Sequence, residues 1–86
     1  MIIDEQKFTA YLVSKKYTDS YTWSIVKFAK DHLSDVSEDE ILACTDYTLL
    51  VEKILRKRYF HKDGRCKCGR ITLSRVADFL RMEAAA

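Results

Sequence analysis

No proline occurs anywhere in this chain, and no glycine interrupts it before Gly64. These two residues are the strongest local punctuators of regular structure, so a long stretch without either reads most easily as consecutive helices. The expected fold is all-α, in one domain over residues 1–86. Of the 86 residues, 48% are hydrophobic, which supplies a single compact core. A domain of this size buries only about 60–65% of its unfolded surface.

The stretch Tyr17 to Leu33 is the centre of the pattern. Thr18, Asp19 and Ser20 can each accept a hydrogen bond from a free N–H at a helix start. At about 100° per residue, Tyr21, Ile25, Val26, Phe28, Ala29 and Leu33 fall on one broad arc, as in a core-facing amphipathic helix. The opposite arc carries Ser20, Trp23, Ser24, Lys27 and Lys30. A tryptophan among hydroxyls and lysines, turned away from the core, is the feature that packing alone leaves unexplained.

Around that helix the other elements follow in order. Residues 4–15 place Phe8, Tyr11 and Leu12 at i, i+3 and i+4, with Asp4 and Glu5 suited to the positive end of a helix. Ser37-Glu38-Asp39-Glu40 is a capping box, flanked by Val36 and Ile41 as a hydrophobic staple, and predicts a short helix from 38 to about 44. Thr45 or Asp46 can cap a helix over about 47–59, striped by Tyr47, Leu50, Val51, Ile54 and Leu55. The pattern leaves open whether these two are one bent helix. Residues 59–70 break the helical period: Asp63-Gly64 is a hairpin-type dipeptide and Arg65-Cys66-Lys67-Cys68 alternates, so a small β-hairpin or a basic loop fits. Ile71 to Met82 returns to helix, capped by Thr72 or Ser74, with Leu73, Val76, Ala77, Phe79 and Leu80 along one side.

Charge is unevenly distributed. Residues 1–50 hold five Lys/Arg against nine Asp/Glu, whereas residues 51–86 hold ten against four. A net of −4 followed by +6 points to a basic patch suited to a polyanion. The ordinary alternative is a solvated basic helix end. Three cysteines, with no signal peptide and no membrane-spanning apolar run, indicate a reducing, cytoplasmic location and no membrane partner.

The residue types bear on three kinds of chemistry. His61, Cys66 and Cys68 lie close in sequence, with Cys44 remote, but structural zinc sites favour four ligands with cysteine pairs two to four residues apart. Ordinary thiols are the simpler reading, so no metal and no cofactor is expected. A nucleophilic cysteine needs an adjacent base and an orienting group; His32 and His61 are far from Cys44, and no glycine-rich loop cradles phosphate, so no enzyme activity is expected. Nucleic-acid binding fits better. Ser20, Trp23, Ser24, Lys27 and Lys30 suit a helix laid into a major groove, and Lys53, Arg56, Lys57, Arg58, Lys62, Arg65, Lys67 and Arg70 can supply phosphate contacts.

The order of motifs resembles a known family. FTAYLVSKK followed by YTDSYTWSIVKFAKDHL is similar to the start of the core-binding, SAM-like N-terminal domain of tyrosine recombinases, the phage-integrase family. Tyr17, Thr18, Ser20 and Ser24 fall at corresponding positions. Val36 to Ile41 looks like the family's I-T-x-x-D-I element, and Leu73-Ser74-Arg75-Val76-Ala77-Asp78-Phe79 like its closing L-S-x-L-x-x-F helix. The chain departs from the pattern at Trp23, where a basic residue is usual, in having only Arg70 near the usual Asn-Arg, and in the segment YFHKDGRCKCG. The resemblance implies a bundle of four or five helices that clasps duplex DNA opposite a separate, downstream catalytic domain in DNA integration and recombination. By position it implies DNA contacts from Ser20, Trp23, Ser24 and Lys27 on the second helix, and from Ser74 and Arg81 on the last. The alternative is a protein-interaction or regulatory module of phage or plasmid type, with Trp23 and its neighbouring aromatics as the interface.

Overall fold

The computed structural model describes residues 1–85 as five helices: α1 (Glu5–Ser14), α2 (Asp19–His32), α3 (Glu38–Ala43), α4 (Tyr47–Leu55) and α5 (Gly64–Ala85). The fold is all-α, with no strand among the described residues. Its axis is α5. Twenty-two residues at 1.5 Å each span about 33 Å, close to the longest dimension of the molecule, 35 Å. The other four helices pack around this rod.

The starts of α1 to α4 are fixed by short polar side chains. Asp4 accepts from the Lys7 N–H at 3.1 Å, Thr18 from Tyr21 at 3.2 Å, Ser37 from Glu40 at 3.1 Å and Asp46 from Thr48 at 3.0 Å. Each such cap stabilises its helix by about 1 kcal/mol. At the Ser37 capping box the Glu40 carboxylate also accepts from Lys53 of α4 at 2.6 Å, which ties α3 to α4. The N-terminal amine of Met1 donates to the Leu33 and Ser34 carbonyls at 3.1 and 2.8 Å, and to that of Val36, holding residues 1–3 across the end of α2.

Two expected boundaries are corrected. The helices over 38–44 and 47–59 are separate, because Cys44 is extended, and the second ends at Leu55, where Arg56 turns left-handed at φ 54°. More consequentially, residues 59–70 form no β-hairpin, and the basic loop stops at Asp63. Asp63 Oδ1 accepts from the Arg65 and Cys66 N–H groups at 2.9 and 3.3 Å, so Asp63-Gly64 opens a helix rather than turning a hairpin. Cys66, Gly69, Leu73 and Val76 then continue the buried stripe at helical spacing. Thr72 and Ser74, expected as caps, therefore lie in the middle of α5.

At Gly69 the backbone of α5 lies directly against side chains of α2 and α4. A Cβ at this position would stand 2.7 Å from Cζ of the Phe28 ring and 3.2 Å from Val51 Cγ2. The glycine permits a close helix crossing. Phe8 and Leu12 of α1, Ile25 of α2, Ile41 of α3 and Val51 of α4 close the core over Leu73 and Val76 of α5, all at most 1% exposed. Phe8 and Phe79 join α1 to α5 with ring centroids 5.2 Å apart.

Candidate nucleic-acid interface

The outward arc of α2 is continuous, but its two edges face different neighbours. On one edge Ser20 and Ser24 line a groove of about 370 Å³ between α2 and α5, with Thr18, Tyr21, Lys67, Cys68 and Ile71. Ser24 lies against α5, where the Cys68 thiol approaches its carbonyl at 3.7 Å, and its own hydroxyl donates to the Ser20 carbonyl at 3.0 Å. Across the α5 ridge, Arg70 and Ser74 line a second groove with Tyr47, Ile71 and Arg75. Among the described residues no carboxylate lines either groove.

Arg75 is the fixed cation of this face. Its Nε donates to the Tyr21 hydroxyl at 3.2 Å and its guanidinium lies 5.1 Å from the Tyr17 ring centroid. Asp78 reaches Arg75 only at 4.0 Å. Lys67 and Arg70 have no ion-pair partner among the described residues. The α5 side of the two grooves thus combines two free cations, one pinned cation and the Ser74 hydroxyl, with Ser20 and Ser24 facing it from α2. Those groups donate readily to phosphate oxygens.

The other edge of α2 is different in kind. Trp23 is 65% exposed. It borders a hollow lined by Glu5, Val26, Lys27, Lys30 and Asp31. Lys27 pairs with Asp31 at 3.0 Å and lies 5.9 Å from the indole centroid, while Lys30 reaches Glu5 of α1 at 3.4 Å. The hydrogen bond from Lys27 holds the Asp31 carboxyl below its ordinary range. Glu5, Val26 and Lys30 also line the adjoining groove of about 320 Å³, together with Met1, Ile2, Ile3, Phe8 and Ala29.

The remaining expected contacts scatter. Lys53 pairs with Glu40 at 2.6 Å and Lys57 with Asp63 at 2.6 Å. Each lysine pulls its partner's carboxyl below the ordinary range by direct hydrogen bonding. Arg56 sits exposed at the end of α4. Arg81 stands near the far end of α5, paired with Asp78 at 3.6 Å. Of the expected set, Ser20, Ser24, Arg70 and Ser74 come together with Lys67 of the basic run. Arg75, Tyr21 and Thr18 join them unannounced. For Arg75 the signal is the spacing 67, 71, 75, visible only once α5 is extended back to Gly64; Tyr21 and Thr18 carry core-facing and capping signals instead.

Cysteine and histidine chemistry does not converge. Cys66 is fully buried, Cys68 faces Ser24 and Thr72, and His61 stacks edge-on with Tyr59 at 5.4 Å. All three cysteines are free thiols. Among the described residues no group of three or more His, Cys, Asp or Glu side chains is arranged to hold a metal ion, and no helix is long and apolar enough to cross a membrane. His32 sits between α2 and α5, its ring 4.6 Å from that of Phe28, and accepts from Arg65 at 3.0 Å. Burial, then the Arg65 charge, pushes its imidazole below the ordinary range toward the neutral form.

No protein-family model, curated protein or solved structure matches this chain.

Proposed function

We propose that the chain is a duplex-DNA-binding helical module, similar to the core-binding domain of a site-specific tyrosine recombinase and without catalytic chemistry of its own. One observation carries this reading: the two grooves flanking α5 are lined by Lys67, Arg70 and Arg75 and by the hydroxyls of Thr18, Ser20, Ser24 and Ser74, and among the described residues no carboxylate lines either. Lys67 and Arg70 take phosphates, Ser20 and Ser74 donate to backbone oxygens, and Arg75 holds the register. The free thiols suit a reducing cytoplasm. Within a longer protein or complex, the module would bring a catalytic domain to its site.

The test is fluorescence anisotropy of a labelled duplex across a salt series. Each phosphate neutralised contributes roughly 0.9 to the slope of log affinity against log salt. A steep negative slope, carried by several phosphates, is the expected result. Absence of binding even at low salt would overturn the reading.

A second reading is supported by Trp23. An exposed indole beside an apolar groove, with its rim charges mutually neutralised, suits a protein partner better than a polyanion. This reading complements the first, since it uses the opposite edge of α2. A pull-down partner lost on Trp23→Ala, with duplex affinity unchanged, is the outcome it requires.

A further inference from the structure

The loop between α4 and α5 presents a phenylalanine to solvent inside a cationic setting. Phe60 is 61% exposed. Arg58, His61 and Lys62 around it are exposed as well. The loop backbone is anchored by the Lys57 N–H to the Glu52 carbonyl at 3.2 Å, the Tyr59 N–H to the Glu52 carboxylate at 3.0 Å, and the Asp63 N–H to the Phe60 carbonyl at 2.9 Å. Tyr59 packs against the core. The ring is therefore displayed from a braced turn.

The charge balance around this ring is specific. Glu52 is engaged by the Tyr59 N–H, and Asp63 by Lys57 and the first N–H groups of α5. Arg58 and Lys62 have no ion-pair partner among the described residues. The loop runs directly into Gly64, which lines the α2–α5 groove. An exposed aromatic ring with an unpaired cation two residues to either side, in a loop that leads into the groove of Lys67, is the arrangement that stacks a base while its neighbouring phosphates are held.

We propose that Phe60 is a base-stacking wedge, which takes a nucleobase displaced from the duplex stack while Arg58 and Lys62 hold the adjoining phosphates. The inference rests on the DNA-binding reading and adds its preferred substrate: duplex with an unpaired or easily unstacked base. A protein ligand would have to leave two cations uncompensated or bring its own carboxylates.

The experiment compares an intact duplex with the same duplex carrying one unpaired thymine, titrated against the parent chain, Phe60→Ala and Phe60→Tyr. The parent should bind the bulged duplex more tightly, by roughly five- to hundredfold, as expected for one stacked base. Phe60→Ala should erase that preference without changing the salt slope, and Phe60→Tyr should keep it. Lys62→Ala should instead lower the slope by about 1. In a Trp23→Phe, Phe60→Trp chain, the emission should be quenched by the bulged duplex, a readout that needs no loss of binding. Equal parental affinity for both duplexes, or a preference that survives Phe60→Ala, would overturn this inference and leave the DNA reading intact. Failure of the parent to bind either duplex would overturn both. A protein partner lost with Phe60→Ala while the DNA preference persists would assign the ring to a protein interface.

Discussion

The two edges of α2 carry similar residue types and do different electrostatic work. On the α5 edge, Lys67 and Arg70 stand free beside hydroxyls. On the α1 edge, Lys27 and Lys30 are tied to Asp31 and Glu5 beside an exposed indole and an apolar groove. A surface ion pair is worth little to stability, at most about 1 kcal/mol. Its larger consequence is for recognition, since a paired lysine offers a phosphate little net charge. Counting lysines on a helical wheel therefore overstates the cationic face of α2. The usable charge lies on α5.

The sharpest way to break this contrast is a matched pair of double substitutions. Lys67→Ala with Arg70→Ala should weaken duplex binding by about ten- to hundredfold at low salt and lower the salt slope by about 2, one for each phosphate contact removed. Lys27→Ala with Lys30→Ala should cost about threefold or less, because each lysine already spends its charge on a carboxylate. Equal losses in an anisotropy titration would show that both edges meet the DNA.

The α5 edge also depends on the close approach at Gly69. Gly69→Ala gains about 1 kcal/mol of helix propensity but drives a methyl to 2.7 Å from the buried Phe28 ring. Overpacking of that kind costs about 1–3 kcal/mol, so the net expectation is a loss of about 1 kcal/mol. In a domain of this size that lowers the melting temperature by about 4–8 °C. Gly64 gives the opposite case: nothing lies within 4 Å of its built Cβ. Gly64→Ala should stabilise by about 0.4–1 kcal/mol by restricting the unfolded chain. Thermal melts of the two variants would decide whether Gly69 is a packing residue.

Much of this fold was legible because it is locally encoded. Thr18, Ser37 and Asp46 announce their helices, and the arc from Tyr21 to Leu33 faces the core as its period requires. The first two turns of α5 were not legible. Asp63-Gly64 and Gly69 read as punctuation, and the alternation from Arg65 to Cys68 imitates a strand. The spacing of Cys66, Gly69, Leu73 and Val76 was the competing signal. A glycine that serves a helix crossing cannot be told from one that serves a turn until the partner, here Phe28, is known. The site was obscured for a related reason: Glu5 and Lys30, or Glu40 and Lys53, are joined only by tertiary structure. The resemblance indicated α2 and the last helix, but it could not say which lysines remain free.

A smaller effect tests the lower end of the α2–α5 contact. His32 accepts from Arg65 and is kept neutral by burial and by that charge; Lys27 adds in the same direction and Asp31 opposes it. Its affinity for protons is thus lower folded than unfolded, so the unfolded chain binds more protons. The stability that the neutral ring contributes is present above the ordinary histidine value, about 6.5, and is lost as pH falls below it. Because the ring is partly solvated, the loss should be well under about 1 kcal/mol. His32→Gln keeps an acceptor for Arg65 without titrating. Its melting temperature should fall less than the parent's between about pH 7 and pH 5, and parallel curves would refute the role given to His32.

The smallest expected effects belong to Trp23, and they test the contrast from its other side. Its exposure predicts that Trp23→Ala changes stability by no more than about 0.5 kcal/mol, and the DNA reading of α5 predicts duplex affinity within about twofold of the parent. Trp23 is also the only tryptophan of the chain, so its emission reports on this edge alone. If the α1 edge stays in solvent when DNA binds, the emission maximum and its quenching by iodide should be unchanged at saturating duplex. A blue shift or strong protection on DNA binding would merge the two edges into one surface and return Trp23 to the DNA interface. The same protection on adding a protein partner, with none on adding DNA, would leave α2 as the divide between two binding faces.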